Sequence, residues 1–195
     1  MSTCKDPYDG IPVCPFGPDG GGGRGGGGTC GKPTPPTVFP VRGLHKTGIF
    51  NDAPSSNPAL WTCGNANSRS DFNSTHIGND IKAAEGTPVV ASVAGTVKQS
   101  SFGTGEGYRV AVVDACGWTH YSMHLHHIAA GIAVGVKLNA STIIGHVGKT
   151  GANANGVVHL HHSIYPGLPG GDDDRYSEGI NPHPYLFVVE NNVCD

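Results

Sequence analysis

Charge is scarce in this chain. Only 14% of its 195 residues are Asp, Glu, Lys or Arg, and 12 basic against 15 acidic residues leave a net charge of -3. A protein that grips nucleic acid through its phosphates needs a basic face, so that class is excluded. The same balance gives no steering toward an anionic surface. Aromatic residues are few, at 7%, and no run reaches the ~18 apolar residues of a membrane-spanning helix. Amphipathic helical repeats are lacking too, and Asp80 to Glu85 offers one helical turn at most. No C-x-x-C pair occurs, which argues against a structural zinc knuckle. Met1-Ser2-Thr3-Cys4 shows neither the basic nor the apolar region of an export leader.

Glycine and proline are abundant, with 31 and 15 copies, which favours a turn-rich β protein. Residues 1–38 read as a Gly/Pro-rich, Cys-containing tail or linker: Gly20 to Gly23 and Gly25 to Gly28 flank Arg24, and Pro33, Pro35 and Pro36 follow. Residues 39–195 are long enough for one domain with its own core. The six cysteines, Cys4, Cys14, Cys30, Cys63, Cys116 and Cys194, are even in number and widely spread, as in a disulfide-bonded protein of an oxidising compartment. The pairing preferred from spacing is Cys4–Cys14, Cys63–Cys116 and Cys30–Cys194. A secreted or periplasmic mature segment, its leader removed, is then expected.

Six strands are expected. Thr87–Val93 and Thr96–Ser100 read as a hairpin around Ala94-Gly95, followed by Gly107–Asp114, Trp118–Leu125, Ser141–Gly148 and Val157–Ile164. Short strands at this spacing predict a mainly β fold, an antiparallel sheet or barrel-like sandwich. Two phosphate-loop look-alikes fail. Gly148-Lys149-Thr150 has Ile143 where the first glycine belongs, and Gly103-Thr104-Gly105-Glu106-Gly107 lacks the third-glycine spacing of a dinucleotide fingerprint.

Histidine is the outlier: 11 copies, most of them between His120 and His162, a density that suits metal or acid–base chemistry. On the last strand His159 and His161 are spaced i, i+2 and share a face, while Leu160, His162 and Ile164 take the other. His76 and Asp80, four residues apart in extended chain, also share a side. Two imidazoles and one carboxylate make a three-ligand zinc set with a fourth position open to water. Zinc lowers the pKa of such a water toward ~7, and a nearby imidazole can take its remaining proton. No H-E-x-x-H occurs, so histidine would replace the glutamate base of helical zinc proteases.

Several blocks resemble the lysostaphin/LytM-type zinc metallopeptidases. They are His76-x-Gly78-x-Asp80, Ala84-x-Gly86-Thr87-Pro88-Val89-x-Ala91, Ala94-Gly95-Thr96-Val97, Tyr121-x-x-His124-Leu125, Ile144-Gly145-x-Val147-Gly148-x-Thr150-Gly151, His159-Leu160-His161 and Asn181-Pro182-x-Pro184-Tyr185-Leu186. The blocks lie in the family's order over about residues 70–188. The resemblance implies an antiparallel β-sheet with the metal at the floor of a narrow groove, and cleavage of peptide bonds in bacterial peptidoglycan. It implies one Zn²⁺ per chain on His76, Asp80 and His161, with His124 and His159 as non-ligand catalytic histidines.

Two departures stand out. Members often carry an aromatic residue and Glu after the H-x-H pair, where this chain has His162 and Ser163. One extra residue precedes His124, which a β-bulge could absorb, re-aiming the side chain. His120 and His126 share the parity of His124 and belong on the groove side by that count, His127 does not, and none of the three is expected to be essential. His45, His146 and His183 get structural roles, and the loop Gly167–Gly179 reads as a solvated acidic loop rather than a groove rim. A monomer is expected. The competing reading is an inert LytM-like module that binds the wall or activates an amidase. A disulfide-rich sugar-binding domain ranks last.

Overall fold

The computed structural model describes residues 30–48, 58–64, 68–172 and 174–190. Among the described residues there are ten strands, β1 (His45–Thr47), β2 (Asn79–Ala83), β3 (Pro88–Val90), β4 (Gly95–Gly103), β5 (Gly107–Val113), β6 (Trp118–Leu125), β7 (His127–Ile128), β8 (Lys137–Leu138), β9 (Ile143–His146) and β10 (Leu160–Pro166), followed by one α-helix, α1 (His183–Val189). Seven strands form one sheet in the order β1-β2-β10-β6-β5-β4-β8, and β3-β9-β7 form a second. Every strand pairing among the described residues is antiparallel, and the mainly β expectation holds.

One apolar cluster joins the two sheets. Ile81, Val97, Val110, Val112, Leu125 and Leu160 come from the large sheet, Val89 and Ile144 from the small one, with Phe39, Val41 and Leu186 completing it. Along β5, Val110 and Val112 join this core while Ala111, between them, packs with Tyr121, Met123 and Tyr165 on the other face. That is the period-2 alternation of a pleated strand. β6 and β10 are buried along their whole length. They are central strands covered on both faces.

Three expectations need correction. β3 and β4 do not pair with each other: β3 joins β9, and β4 joins β5 and β8, so the Ala94-Gly95 turn carries the chain between sheets instead of closing a hairpin. Gly95 lies where a Cβ would run into the Val113 carbonyl oxygen, which ties the start of β4 closely to β5. Helix α1 was not expected. It is seven residues long, and Leu186 is its buried residue, too short for an amphipathic repeat to register. Cys116 bonds to Cys30, 86 residues away, which excludes both Cys63–Cys116 and Cys30–Cys194. Cys63 is disulfide-bonded as well, and the Cys4–Cys14 expectation lies outside the described residues.

The Cys30–Cys116 bridge fastens the end of the Gly/Pro-rich stretch to the β5–β6 turn. Thr34 N–H donates to Asp114 Oδ2 (2.6 Å), and Thr37 and Val38 donate to the Ser92 carbonyl. Pro33 and Pro36 are buried there.

Candidate metal centre

β2 and β10 are neighbours, and their register sets Asp80 directly opposite His161. His76 precedes β2 in a turn organised by Asn73, whose Oδ1 accepts the N–H groups of Thr75 (2.9 Å) and His76 (3.1 Å). The three side chains converge: ligand atoms of His76, Asp80 and His161 all lie within 4.8 Å of one another, the only such group among the described residues. Asp80 Oδ1 is 3.1 Å from His76 Nε2 and 2.9 Å from His161 Nδ1, and the two ring nitrogens are 3.1 Å apart.

The outer nitrogens decide what these inner atoms are. His76 Nδ1–H donates to the Asp71 carbonyl (3.0 Å), and His161 Nε2–H to the Ile77 carbonyl (3.2 Å). In the neutral imidazoles the inner nitrogens therefore carry lone pairs. Two lone pairs and a carboxylate oxygen then face one another, and only a proton or a cation satisfies all three. Burial pushes the His76 pKa down, yet the Asp80 hydrogen bond and charge, with Asp71 behind the ring, outweigh it and raise the pKa. Burial would likewise raise Asp80, but hydrogen bonds from the His161 and His76 rings, when their inner nitrogens are protonated, prevail and hold its carboxyl well below the usual range. Two imidazole nitrogens and one hard anionic oxygen, oriented from behind by carbonyls, fit a divalent metal such as zinc.

Two further histidines stand beside this set. His159, just before β10, donates Nδ1–H to the Val157 carbonyl (2.9 Å) and brings Nε2 to 3.6 Å from Asp80 Oδ1. It lies outside the three-residue group. His124, near the end of β6, donates Nδ1–H to the Thr150 carbonyl (3.0 Å). The His124 ring centroid is 4.9 Å from that of His159 and 6.2 Å from that of His161. Burial, then the neighbouring His159, depresses the His124 pKa to about 4. Burial lowers His159 too, against the opposing pull of Asp80.

A bulge brings His124 into place. Tyr108 pairs with Leu125 but Val110 pairs with Ser122, so β6 carries one residue more than β5, and His124 takes φ +61°. Met123 and His124 consequently both line the groove, which strict alternation forbids. Residues counted across the bulge change sides. His120 is buried against Asp114 (3.3 Å) and Ser92, away from the groove. His126 follows the end of β6 and meets Glu85 at the surface. The parity expectation for both is corrected.

His162 points away from the groove, as expected, with Ser122 Oγ 3.5 Å from Nδ1 and no partner for Nε2. Full burial takes its pKa to about 3. His45 is enclosed with Glu190.

The groove above these residues measures about 730 Å³. The loop after β10 forms part of its wall, through Pro169, Gly170, Asp174 and Tyr176, so the solvated-loop reading gives way to a rim. Asp174 folds this loop on itself by accepting Gly170 N–H (2.6 Å) and Tyr176 N–H (3.2 Å). Gln99, Glu106 and Arg109 line the groove as well. Gln99 and Arg109 stand on β4 and β5 with no motif around them, and Glu106 sits in the turn between those strands, where only a failed dinucleotide look-alike drew notice.

Fold and donor set define a class: an antiparallel β protein with a candidate single-metal centre on the floor of an open groove. The chain belongs to Peptidase family M23, whose model matches residues 74–174. Among solved structures, the antimicrobial peptidase lysostaphin from Staphylococcus simulans is 25% identical at a TM-score of 0.50, the match covering 60% of this chain and 46% of that one. A lytM candidate glycyl-glycine endopeptidase from Ruminococcus gnavus is 23% identical at 0.56, over 81% and 62%. A candidate M23 peptidase from Pseudomonas aeruginosa is 21% identical at 0.53, over 79% and 53%. This chain thus spans about half to three fifths of those structures. No curated protein sequence matches it.

Proposed function

We propose that this chain is a zinc-dependent endopeptidase that hydrolyses peptide cross-links or stem peptides of bacterial peptidoglycan outside the cytoplasm. The observation that carries the reading is the convergence of His76, Asp80 and His161 within 4.8 Å, with the rings of His124 and His159 alongside. Membership of family M23, the likeness to lysostaphin and the Cys30–Cys116 disulfide, a bond of oxidising compartments, support it.

His76, Asp80 and His161 would hold the ion. Zinc supplies Lewis acidity to such a site, polarising a carbonyl and lowering the pKa of a coordinated water toward neutrality. His124 and His159 handle protons. Their lowered pKa values leave both uncharged near pH 7. Each has Nδ1–H tied to a main-chain carbonyl, so Nε2 is the one nitrogen of each ring able to accept a proton. A ring charged in this way donates from the same Nε2 to the nitrogen of the departing amine. Charge on His159 disfavours charge on His124.

The test is metal content together with muropeptide cleavage read by mass spectrometry. One zinc per chain and new amino termini, both abolished by chelator, are expected. Asp80→Ala should lose metal and turnover together. His124→Ala and His159→Ala should retain zinc while kcat falls by about 10²–10⁴-fold, the range of general acid–base catalysis. Zinc-free His159→Ala protein would mean that the members of the H-x-H pair are exchanged. Wall binding that survives chelation, with no bond cut, would identify an inert module. The chain's own tetraglycine runs, Gly20 to Gly23 and Gly25 to Gly28, report on the bond. Intact protein after long incubation with zinc favours a D-Ala–diamino acid link, whereas trimming there favours Gly-Gly.

A further inference from the structure

Tyr176 occupies the short 3-10 turn Tyr176–Glu178 that ends the rim loop. Its hydroxyl donates to the Ile77 carbonyl (3.0 Å) and lies 3.2 Å from His161 Nε2. That same nitrogen is 3.2 Å from the Ile77 carbonyl. Nε2, phenol oxygen and carbonyl oxygen therefore form a closed triangle behind the imidazole. Tyr176 does not owe its position to His161. Its ring packs edge-on against Tyr165 at 5.2 Å, and its N–H is held by Asp174. An aligned acceptor pair on Nε2–H fixes the ring's rotation and keeps the Nδ1 lone pair facing Asp80 and His76. With the carbonyl alone, at 3.2 Å, one long hydrogen bond would hold the imidazole from behind.

Resting on the metal reading above, we infer that Tyr176 is a positioning residue for the ligand His161, so that the rim loop which walls the groove also sets the affinity of the metal centre. Tyr176→Phe removes the hydroxyl and leaves the ring against Tyr165. Zinc affinity of the full chain is measured by competition with a chromophoric chelator at fixed pH, and thermal unfolding is followed in excess chelator. The expected result is a zinc dissociation constant raised about 10–100-fold, the usual effect of losing a partner behind a ligand, with metal-free stability unchanged. Asp174→Ala, which frees the loop without touching His161, should weaken zinc in the same direction by a smaller factor. Equal zinc affinity in wild type and Tyr176→Phe overturns the inference. So does a loss of affinity matched by an equal loss of metal-free stability, which would make the tyrosine merely structural. Failure of the wild-type chain to take up zinc overturns the metal centre itself, and this inference with it.

Discussion

Gly78 lies between two proposed ligands and is itself part of the site. A Cβ at that position would stand 2.5 Å from His161 Nε2 and 2.9 Å from the His162 carbonyl oxygen, closer than non-bonded atoms tolerate. Gly78→Ala should therefore push the His161 ring off its carbonyl partner. Zinc affinity should fall by about tenfold or more, with overpacking costing about 1–3 kcal/mol. Chelator competition and denaturant melts measure the two separately, and unaltered zinc binding would count against the close approach. The side chains of the candidate centre are legible in the sequence, since H-x-G-x-D and H-x-H put donors on one side of extended chain. Their orienting partners are not. Asp71, Ile77, Thr150 and Val157 act on the four histidines through main-chain carbonyls, and a carbonyl leaves no mark on residue type.

Strand β6 shows what an element adds to its residues. The surplus residue in Tyr121-x-x-His124-Leu125 is visible in the sequence by comparison with the family, and the structure absorbs it as a bulge. The consequences for His120 and His126 escaped, because parity counts assume an unbroken pleat. His124 holds φ +61°, a left-handed conformation that costs a residue with a Cβ about 1 kcal/mol and costs glycine almost nothing. Both His124→Gly and His124→Ala remove the imidazole, so they should be equally inactive. His124→Gly should nevertheless be the more stable by about 1 kcal/mol in urea unfolding. If alanine is the more stable, the left-handed residue is not where the bulge is drawn. The β3–β4 misreading has a similar origin: Ala94-Gly95 supplies a plausible turn, and only the destination of β9 shows that the two strands part.

At the scale of the molecule, stability depends on the side of the large sheet away from the groove. Asp114 Oδ1 accepts the N–H groups of Cys116 (2.8 Å) and Trp118 (2.9 Å), while Oδ2 takes Thr34 N–H and faces His120 Nε2. Burial works to raise its pKa, but the His120 hydrogen bond and charge, with the Trp118 and Thr34 amides, bring it below the usual value. A carboxyl depressed in the folded state stabilises above its unfolded pKa of about 3.9 and loses that contribution as pH falls through the folded value. Unfolding free energy should thus decline below about pH 4. Asp114→Asn should be less stable at pH 7 and show a shallower acid decline, and an unchanged slope would remove Asp114 from the account. The Cys30–Cys116 bridge closes a loop of 86 residues, so Cys116→Ser should cost about 2–5 kcal/mol in guanidine melts. Cysteine count and spread signalled disulfides, but pairing is a property of the assembled chain, and the spacing preference failed at Cys116.

The carbonyl locks on the four histidines have a bearing on how such a chain can vary over time. Every amino acid brings the same carbonyl oxygen, so replacing the side chains of Ile77, Thr150 or Val157 need not disturb which ring nitrogen carries hydrogen. Selection can hold the donor atoms fixed while the surrounding letters drift. That latitude offers a physical route by which proteins sharing about a quarter of their residues can keep one backbone arrangement.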